Sequence, residues 1–277
     1  MLLLKNIKNF TLKLLRTVKN QLFKNLYLTI LVSKFFKYIN ILILNNKIDI
    51  YRANNYWIHK TSIGLIPLSK PILNPEDYVK MNFEIFFEHY KPKRDDVVVE
   101  FGAGEGCETL FISKLIGDKG KIISLEPFEK IFKTLKETIK LNVLKNVVAI
   151  QKAIFKETSK IGFSSNTNSW LGGKIDNNSE NLITTICLND LVKKENLSQI
   201  NFCKINIEGA EKYIFDNSDD FFDICENIAI ECHDFLQVEE YKTFDIVREF
   251  LISKNYKVKT SNRNKFPHDS FYLYGSK

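Results

Sequence analysis

The sequence contains no C-x-x-C pair, although it has five cysteines. Cysteines paired at that spacing are typical of zinc sites and thiol redox motifs, so we expect neither. Most of the five lie in apolar segments, as reduced core thiols do. They are Cys107, Cys187, Cys203, Cys225 and Cys232. The pattern predicts a cytoplasmic protein without a zinc site, and we expect no metal ligands elsewhere in the chain.

Acidic residues are missing from the first 48 positions, which carry eight Lys and one Arg, whereas the rest of the chain sums to −2. A nucleic-acid-binding domain needs a basic patch on its folded body, so we expect no nucleic-acid partner. No repeat or low-complexity tract interrupts the 277 residues. This length suits one large domain with an extension and can bury a sizeable core.

Residues 2–26 also lack an unbroken apolar run, because basic residues interrupt it throughout. We therefore expect no signal peptide, since no small-residue cleavage site follows either. Apolar side chains instead recur at helical spacing. They are Leu3, Ile7, Phe10, Leu14, Val18, Leu22 and Leu26. A basic amphipathic helix of this kind is typical of segments that lie on anionic membrane surfaces.

Residues 25–46 are more apolar, but Lys34 and Lys37 lie at the middle of the segment. Each would cost about 3 kcal/mol at the centre of a bilayer, so we expect no membrane-spanning helix. Residues 1–46 are interpreted as a helical extension. Its contact partner, through residues 2–46, is either the inner face of the membrane or protein, including a second copy of the chain. Both alternatives stay open.

Residues 47–74 are predicted to be an irregular linker or lid that is rich in aromatic side chains. His59 lies in this segment, and a lone histidine is more often a satisfied or solvated side chain than a catalyst. Asn74 and Pro75 then give a helix start, with Asn as the cap and Pro in the first turn. We therefore expect a domain over residues 75–277.

The rest of this domain is organised around residues 97–127. An apolar β-branched run ends in three glycines, Gly102, Gly104 and Gly106, before an apolar helical pattern and a second strand. Glycine lets the backbone turn sharply and lets a ligand approach the peptide groups. Glu126 ends the second strand, 20 residues after Gly106, where a carboxylate can accept hydrogen bonds from a ribose diol. The pattern predicts a βαβ nucleotide-binding unit.

The glycine spacing separates two classes of cofactor. A dinucleotide fingerprint requires a third glycine where this chain has Cys107, which disfavours nicotinamide chemistry. Glu100 and Glu105 place negative charge beside the turn and suit a cationic ligand. S-adenosylmethionine has a ribose, an ammonium and a sulfonium and no phosphate, so it is the predicted cofactor. A tight turn with no ligand is the plainer alternative.

Alternating strands and helices follow, with a terminal hairpin, and predict an α/β fold with a doubly wound sheet. Residues 156–186 interrupt this pattern and are predicted to form a long loop or hairpin. Ligands of such sheets bind at the carboxyl ends of the strands. Those ends supply Glu100, Glu126, Asn206, Glu208, Glu231, His233 and Asp234. Salt bridges and helix caps would account for Glu211 and Asp234, and less easily for Glu208.

Three motifs make residues 75–277 resemble the FkbM-type S-adenosylmethionine-dependent methyltransferases. Residues 100–106 read E-F-G-A-G-E-G, where the family commonly has D-x-G-A-N-x-G. Residues 125–127 read L-E-P against F-E-P, and residues 204–211 read K-I-N-I-E-G-A-E against K-I-D-x-E-G-x-E. Two positions depart from the family, Glu100 and Asn206, which both replace Asp.

The resemblance implies a Rossmann-like class I methyltransferase with a mostly parallel seven-stranded sheet and a C-terminal antiparallel hairpin. It implies S-adenosylmethionine as the cofactor. The cofactor-binding residues would be Glu100, Gly102, Ala103, Gly104, Gly106, Glu126, Pro127 and Ala153. The activity implied is O-methyl transfer.

A hydroxyl acceptor has to lose its proton, so a general base is expected in the site. His233 is the first candidate because an unperturbed imidazole titrates near neutrality, and Glu208 is the second. Asn206 stands where the family's Asp would orient the acceptor. We expect a sugar hydroxyl of a surface glycan or a lipid-linked saccharide as the acceptor. The alternatives are a small natural product, or a binding or scaffold protein that lost turnover through Asn206.

Overall fold

The computed structural model describes residues 49–53, 55–72, 75, 83–164, 174–175, 179–264 and 266–277. The predicted amphipathic extension, residues 1–46, lies outside these ranges. The chain divides into two compact units, residues 1–78 and residues 79–277. Among the described residues, no helix has the length and apolar character needed to cross a membrane.

In the first unit, three antiparallel strands form a small sheet in sequence order. They are β1 (Asp49–Ala53), β2 (Tyr56–Thr61) and β3 (Gly64–Leu68). The prediction of an irregular segment was therefore wrong for these residues. Their sequence misleads because Trp57, Ile58 and His59 are buried in succession on β2, so the apolar and polar positions do not alternate.

His59 is a satisfied core histidine of this small sheet. Its side chain is fully buried, its Nδ1 lies 3.2 Å from the carbonyl oxygen of Ile66, and its Nε2 accepts the N–H of Ile72 at 2.9 Å. Burial lowers the pKa of His59, against smaller opposing effects of its backbone hydrogen bonds. Both ring nitrogens are occupied within the fold, which matches the non-catalytic interpretation.

The second unit contains a seven-stranded sheet with the order β13-β14-β12-β11-β4-β5-β6. Every neighbouring pair is parallel except the two pairs that include β14, which is antiparallel to β12 and β13. The strands are β4 (Val97–Phe101), β5 (Lys121–Leu125), β6 (Val147–Ile150), β11 (Phe202–Ile205), β12 (Asn227–Glu231), β13 (Lys257–Thr260) and β14 (Tyr272–Ser276). The predicted doubly wound sheet with its terminal hairpin is confirmed.

Helices pack on both faces of this sheet. They are α1 (Cys107–Ile116), α2 (Glu129–Leu141), α3 (Leu188–Glu195), α4 (Asp219–Ile224) and α5 (Phe244–Ser253). On the central strand β4, Val98 belongs to the apolar cluster around Ile112, and Val99 belongs to the cluster around Phe221. The continuous β-branched run of β4 is explained by this burial on both faces.

A separate four-stranded sheet has the order β7-β10-β8-β9. Its strands are β7 (Ala153–Ile154), β8 (Lys160–Ser164), β9 (Lys174–Ile175) and β10 (Leu182–Ile186). Strands β8 and β10 pair antiparallel, so the hairpin alternative for residues 156–186 is confirmed. The ring of Phe163 on β8 packs edge-on against Phe128, 5.0 Å between centroids, beside the carboxyl end of β5.

Candidate functional site

The glycine turn begins where the ends of β4 and β11 meet. The N–H of Asn206 donates to the carbonyl oxygen of Phe101 at 3.1 Å. Gly102 has a φ of 72°, and a Cβ on it would lie 1.8 Å from the backbone oxygen of Asn206. Only glycine fits here, because the backbone at Gly102 and the backbone at Asn206 lie so close that any side chain on residue 102 would clash.

The two following glycines differ in what they face. Gly106 has a φ of 86° and packs against α2, because a Cβ there would lie 2.7 Å from Cδ1 of Leu135. Ala103 is buried in the same apolar cluster as Leu135. Gly104 has a φ of 56°, and no heavy atom of the described residues lies within 4 Å of the Cβ position. Of the three glycines, Gly104 is the one that opens to free space.

The Glu126 carboxylate lies beside this opening. Its Oε2 accepts the N–H of Gly104 at 3.1 Å, and its Oε1 accepts the N–H of Phe128 at 3.0 Å, across the half-buried Pro127. Burial raises the pKa of Glu126 to about 7, against the opposing effects of the two backbone hydrogen bonds and of Lys204. Two hydrogen bonds leave the carboxylate able to accept more, and the structure brings the predicted glycine turn and acid together.

Glu100 does not face this opening. It is fully buried, and its Oε2 accepts hydrogen bonds from the hydroxyls of Thr109 at 2.6 Å and Ser124 at 3.0 Å. Burial raises the pKa of Glu100, and the nearby Lys204 opposes the rise. The prediction that Glu100 meets a cationic ligand is therefore corrected, because the positive charge beside Glu100 belongs to a lysine of the same chain.

Lys204 is that cation, and sequence reasoning assigned it no role. Its Nζ lies 3.7 Å from Oε1 of Glu100 and donates to the carbonyl oxygen of Gly102 at 2.8 Å. A lysine inside the apolar run of a buried strand is the signal that could have revealed it, because buried charges require partners. Lys204 thus ties β11 to the first residue of the glycine turn.

Asn206 directly follows β11, and its side chain carries a buried oxygen, Oδ1, without a hydrogen-bond partner among the described residues. Buried acceptors are almost always paired, so an orphaned one at the carboxyl end of a strand indicates a place for a ligand's donor. Together with open Gly104 and the Glu126 carboxylate, it fits a cofactor that carries hydroxyl and ammonium donors.

His233 lies between two carboxylates. Its Nδ1 is 3.0 Å from Oε1 of Glu211, and its Nε2 is 3.5 Å from Oε2 of Glu208. Burial alone would lower the pKa of His233, but the two carboxylates outweigh it and raise the pKa to about 10. The argument for His233 as a base, that it titrates near neutrality, is therefore corrected.

The structure also places the other predicted site residues, Asp234, Glu231 and Ala153. Asp234 caps α5, because its Oδ2 accepts the N–H groups of Thr243 at 3.0 Å and Phe244 at 3.1 Å. Glu231 is buried, and burial raises its pKa. Ala153 lies in β7, in the four-stranded sheet, paired with Thr185. Among the described residues, no three His, Cys, Asp or Glu side chains are grouped to hold a metal ion.

The sequence matches a family of known proteins. The methyltransferase FkbM domain matches residues 96–258. A methyltransferase FkbM from Methylobacillus flagellatus superposes with a TM-score of 0.52 at 14% identity, over 73% of this chain and 51% of that chain. TYW2 of M. jannaschii, solved with AdoMet, covers 82% of this chain and 87% of its own at 16% identity, with a TM-score of 0.44.

A tRNA (cytosine(72)-C(5))-methyltransferase from Pyrococcus horikoshii is 34% identical over 61 residues, which are 22% of this chain and 16% of that protein. The chain therefore spans about half of the FkbM structure and a small part of this curated relative. The superposition on the FkbM structure shows the fold that the alternating strands and helices predicted.

Proposed function

This chain belongs to the FkbM family of S-adenosylmethionine-dependent methyltransferases, and we propose that it methylates a hydroxyl oxygen of a sugar. The family is the one that the three sequence motifs indicated, and its domain covers the glycine turn, Glu126 and the run from Lys204 to Glu211. The oxygen acceptor and the saccharide are the proposed parts. The support for each comes from a different group of side chains.

One contact carries the cofactor part of the proposal. The N–H of Gly104, at an open left-handed position, donates to a buried carboxylate of Glu126 that retains acceptor capacity. Gly104 would admit the cofactor against its backbone, Glu126 would bind the ribose, and Asn206 would accept from the ammonium. S-adenosylmethionine supplies a methyl group on a positively charged sulfur, so alignment with the acceptor oxygen accounts for most of the catalysis.

Glu208 is the general base that the geometry favours. Its side chain is 21% exposed, whereas that of His233 is 3% exposed and has a carboxylate on each ring nitrogen. S-adenosylmethionine would supply the methyl group to the acceptor oxygen and leave as the neutral thioether, and the Glu208 carboxylate would take the proton that the hydroxyl loses. The sequence ranked His233 first and Glu208 second as general base, and we reverse that order.

A row of rings supports a saccharide as the acceptor. The ring centroid of Phe235 lies 5.5 Å from that of His233 and 5.7 Å from that of His268. Phe266 stacks on His268 at 5.4 Å with planes 3° apart, and it is 43% exposed. Small-molecule sites combine aromatic walls with a few polar groups, and the C–H face of a sugar packs on such a wall while its hydroxyls reach the acids.

The cellular place of the reaction is proposed from the N-terminal sequence. Residues 2–26 combine an apolar stripe with basic residues and no acid, which suits an anionic membrane surface. A lipid-linked or surface-glycan precursor would be presented at that surface. We place the protein in the cytoplasm, peripheral on the inner face of the membrane.

Isothermal titration tests the cofactor directly. S-adenosylmethionine is titrated into the wild-type chain and into the Glu126→Ala variant, with NAD as the control ligand. We expect micromolar binding that the substitution weakens at least tenfold, which corresponds to about 1.4 kcal/mol. NAD should not bind. If S-adenosylmethionine does not bind, the glycine turn has only a structural role and the proposed activity is refuted.

The acceptor is tested by transfer of a labelled methyl group to a panel of glycosides, lipid-linked saccharides and phenolic natural products. Methylation confined to the saccharides supports the proposal. Methylation of the phenolic compounds would move the acceptor to the natural-product class. Cofactor binding without any transfer, together with transfer regained in Asn206→Asp, would favour the scaffold alternative.

A further inference from the structure

The arrangement around His233 restricts the charge of its ring. One carboxylate oxygen lies 3.0 Å from Nδ1 and another lies 3.5 Å from Nε2. A neutral imidazole carries a single N–H, so one of its nitrogens would then direct a lone pair at an anion. An imidazolium has two N–H groups and satisfies both contacts. A carboxylate beside each ring nitrogen therefore favours the charged ring.

The inner carboxylate, Glu211, is held in place by two further hydrogen bonds. Its Oε1 accepts the N–H of Gly209 at 3.1 Å, and its Oε2 accepts the hydroxyl of Thr243 at 3.2 Å. The side chain is fully buried, and a buried carboxylate needs a counter-charge. His233, two residues beyond the end of β12, supplies that charge 3.0 Å from the Glu211 carboxylate.

We propose that Glu211 is a positioning residue that keeps His233 as an imidazolium, with its Nε2–H directed at Glu208. Under this assignment His233 takes no proton from the acceptor. It orients the partly exposed Glu208 carboxylate, which stands on a left-handed backbone with a φ of 58° next to Gly209. The assignment rests on the proposed function, since it names roles within that same site.

The other ionisable groups around His233 do not change this assignment. The caps that Asp234 makes to α5 occupy its Oδ2, and Cys232 is buried with a raised pKa. Burial raises the pKa of Glu231, and the pKa of Tyr272 is raised as well, so Tyr272 stays a neutral phenol. His268 is separated from His233 by the ring of Phe235.

Nuclear magnetic resonance of the full chain with isotope-labelled histidine reads the charge of the ring without any acceptor. The chain has four histidines, so loss of one signal in His233→Gln assigns the resonance. We expect His233 to remain an imidazolium from pH 6 to pH 9 and to titrate near pH 10. Glu211→Gln should lower that pKa by more than one unit, and Glu129→Gln, on the exposed face of α2, should leave it unchanged.

If Glu211→Gln does not fold, Glu208→Gln serves as the second variant, because its side chain is partly exposed and it should also lower the pKa of His233. A ring that titrates near 6.5 in the wild-type chain would overturn the proposal. So would a pKa that neither substitution moves. The cofactor titration is a separate readout, since a charged His233 in a chain that does not bind S-adenosylmethionine would refute the proposed function alone.

Discussion

The α-carbon of Gly102 faces the backbone oxygen of Asn206 so closely that a Cβ would lie 1.8 Å from it. This contact joins the end of β4 to the end of β11, the two neighbouring strands between which the chain changes direction across the sheet. Ligand sites of open α/β sheets form at such switch points. The crevice exists because glycine allows one strand end to pass against the other.

Substitution of two glycines separates folding from binding. Gly102→Ala should lower the free energy of unfolding severely or prevent folding, because the backbone of Asn206 cannot yield to a methyl group. Gly104→Ala has open space and should cost only about 1–2 kcal/mol of left-handed strain. It should nevertheless weaken S-adenosylmethionine binding. Urea unfolding and calorimetric titration measure the two effects, and equal stability losses would contradict this division.

The sequence could reveal the three glycines of the turn but not their separate roles. Glycine spacing indicates a turn, whereas the crowding partner of each α-carbon, Asn206 for Gly102 and Leu135 for Gly106, comes from a distant part of the chain. The same applies to His233. Its position at the end of a strand was readable, but the pKa depends on Glu208 and Glu211, which only folding brings to its two nitrogens.

The buried ion pair of Lys204 and Glu100 gives a stability prediction. Lys204→Met removes the cation and leaves Glu100 buried without a counter-charge, so we expect a loss of about 3–5 kcal/mol. The double variant Lys204→Met with Glu100→Gln should recover part of this loss, because no uncompensated charge remains. Denaturant unfolding of the wild type, of Lys204→Met, of Glu100→Gln and of the double variant completes the cycle. Additive losses would show that the two side chains are not coupled.

Glu126 predicts a pH dependence of cofactor binding. Its pKa of about 7 means that the carboxylate is largely protonated at pH 6 and largely ionised at pH 8. The ribose diol donates hydrogen bonds, and an ionised carboxylate accepts them better. We expect S-adenosylmethionine to bind several-fold to about tenfold more tightly at pH 8 than at pH 6. In Glu126→Gln the ratio should be close to one; an unchanged ratio would assign the titration to another group.

The same group should act on stability in the opposite direction. Because the pKa of Glu126 is raised on folding, the native chain binds the proton more tightly than the unfolded chain between about pH 4.5 and pH 7. The free energy of unfolding of the ligand-free protein should therefore fall as the pH rises through that window, by about 3 kcal/mol at most from this group. Comparison with Glu126→Gln by urea unfolding isolates its share.

Topology was predictable where periodicity and turn residues agreed, and less so where burial is unusual. The seven-stranded sheet follows from apolar runs separated by helical patterns. Residues 49–68 form three strands that were predicted as irregular, because on β2 buried His59 follows Trp57 and Ile58. A polar residue at a buried position breaks the alternation that identifies a half-buried strand. Two hydrogen bonds of the His59 ring make its burial possible, and they form only in the folded chain, so the sequence does not show them.

The basic N-terminal segment gives the last prediction. Replacing five of its cations by Gln in the full chain should sharply reduce co-sedimentation with phosphatidylserine-containing vesicles, since each basic residue near an anionic surface contributes about 1 kcal/mol. These cations are Lys5, Lys8, Lys13, Arg16 and Lys19. High salt should weaken wild-type binding in the same way.

A matched control removes the same charge from exposed positions of residues 79–277. The positions are Lys114, Lys119, Lys136, Lys145 and Lys160. Vesicle binding should persist in this control, because the proposal assigns the attraction to the amphipathic segment and not to net charge. Vesicle binding that both variants lose equally, or that neither loses, would refute the membrane-surface proposal. The segment would then be assigned to a protein partner, and sedimentation velocity of the wild-type chain would show whether that partner is a second copy.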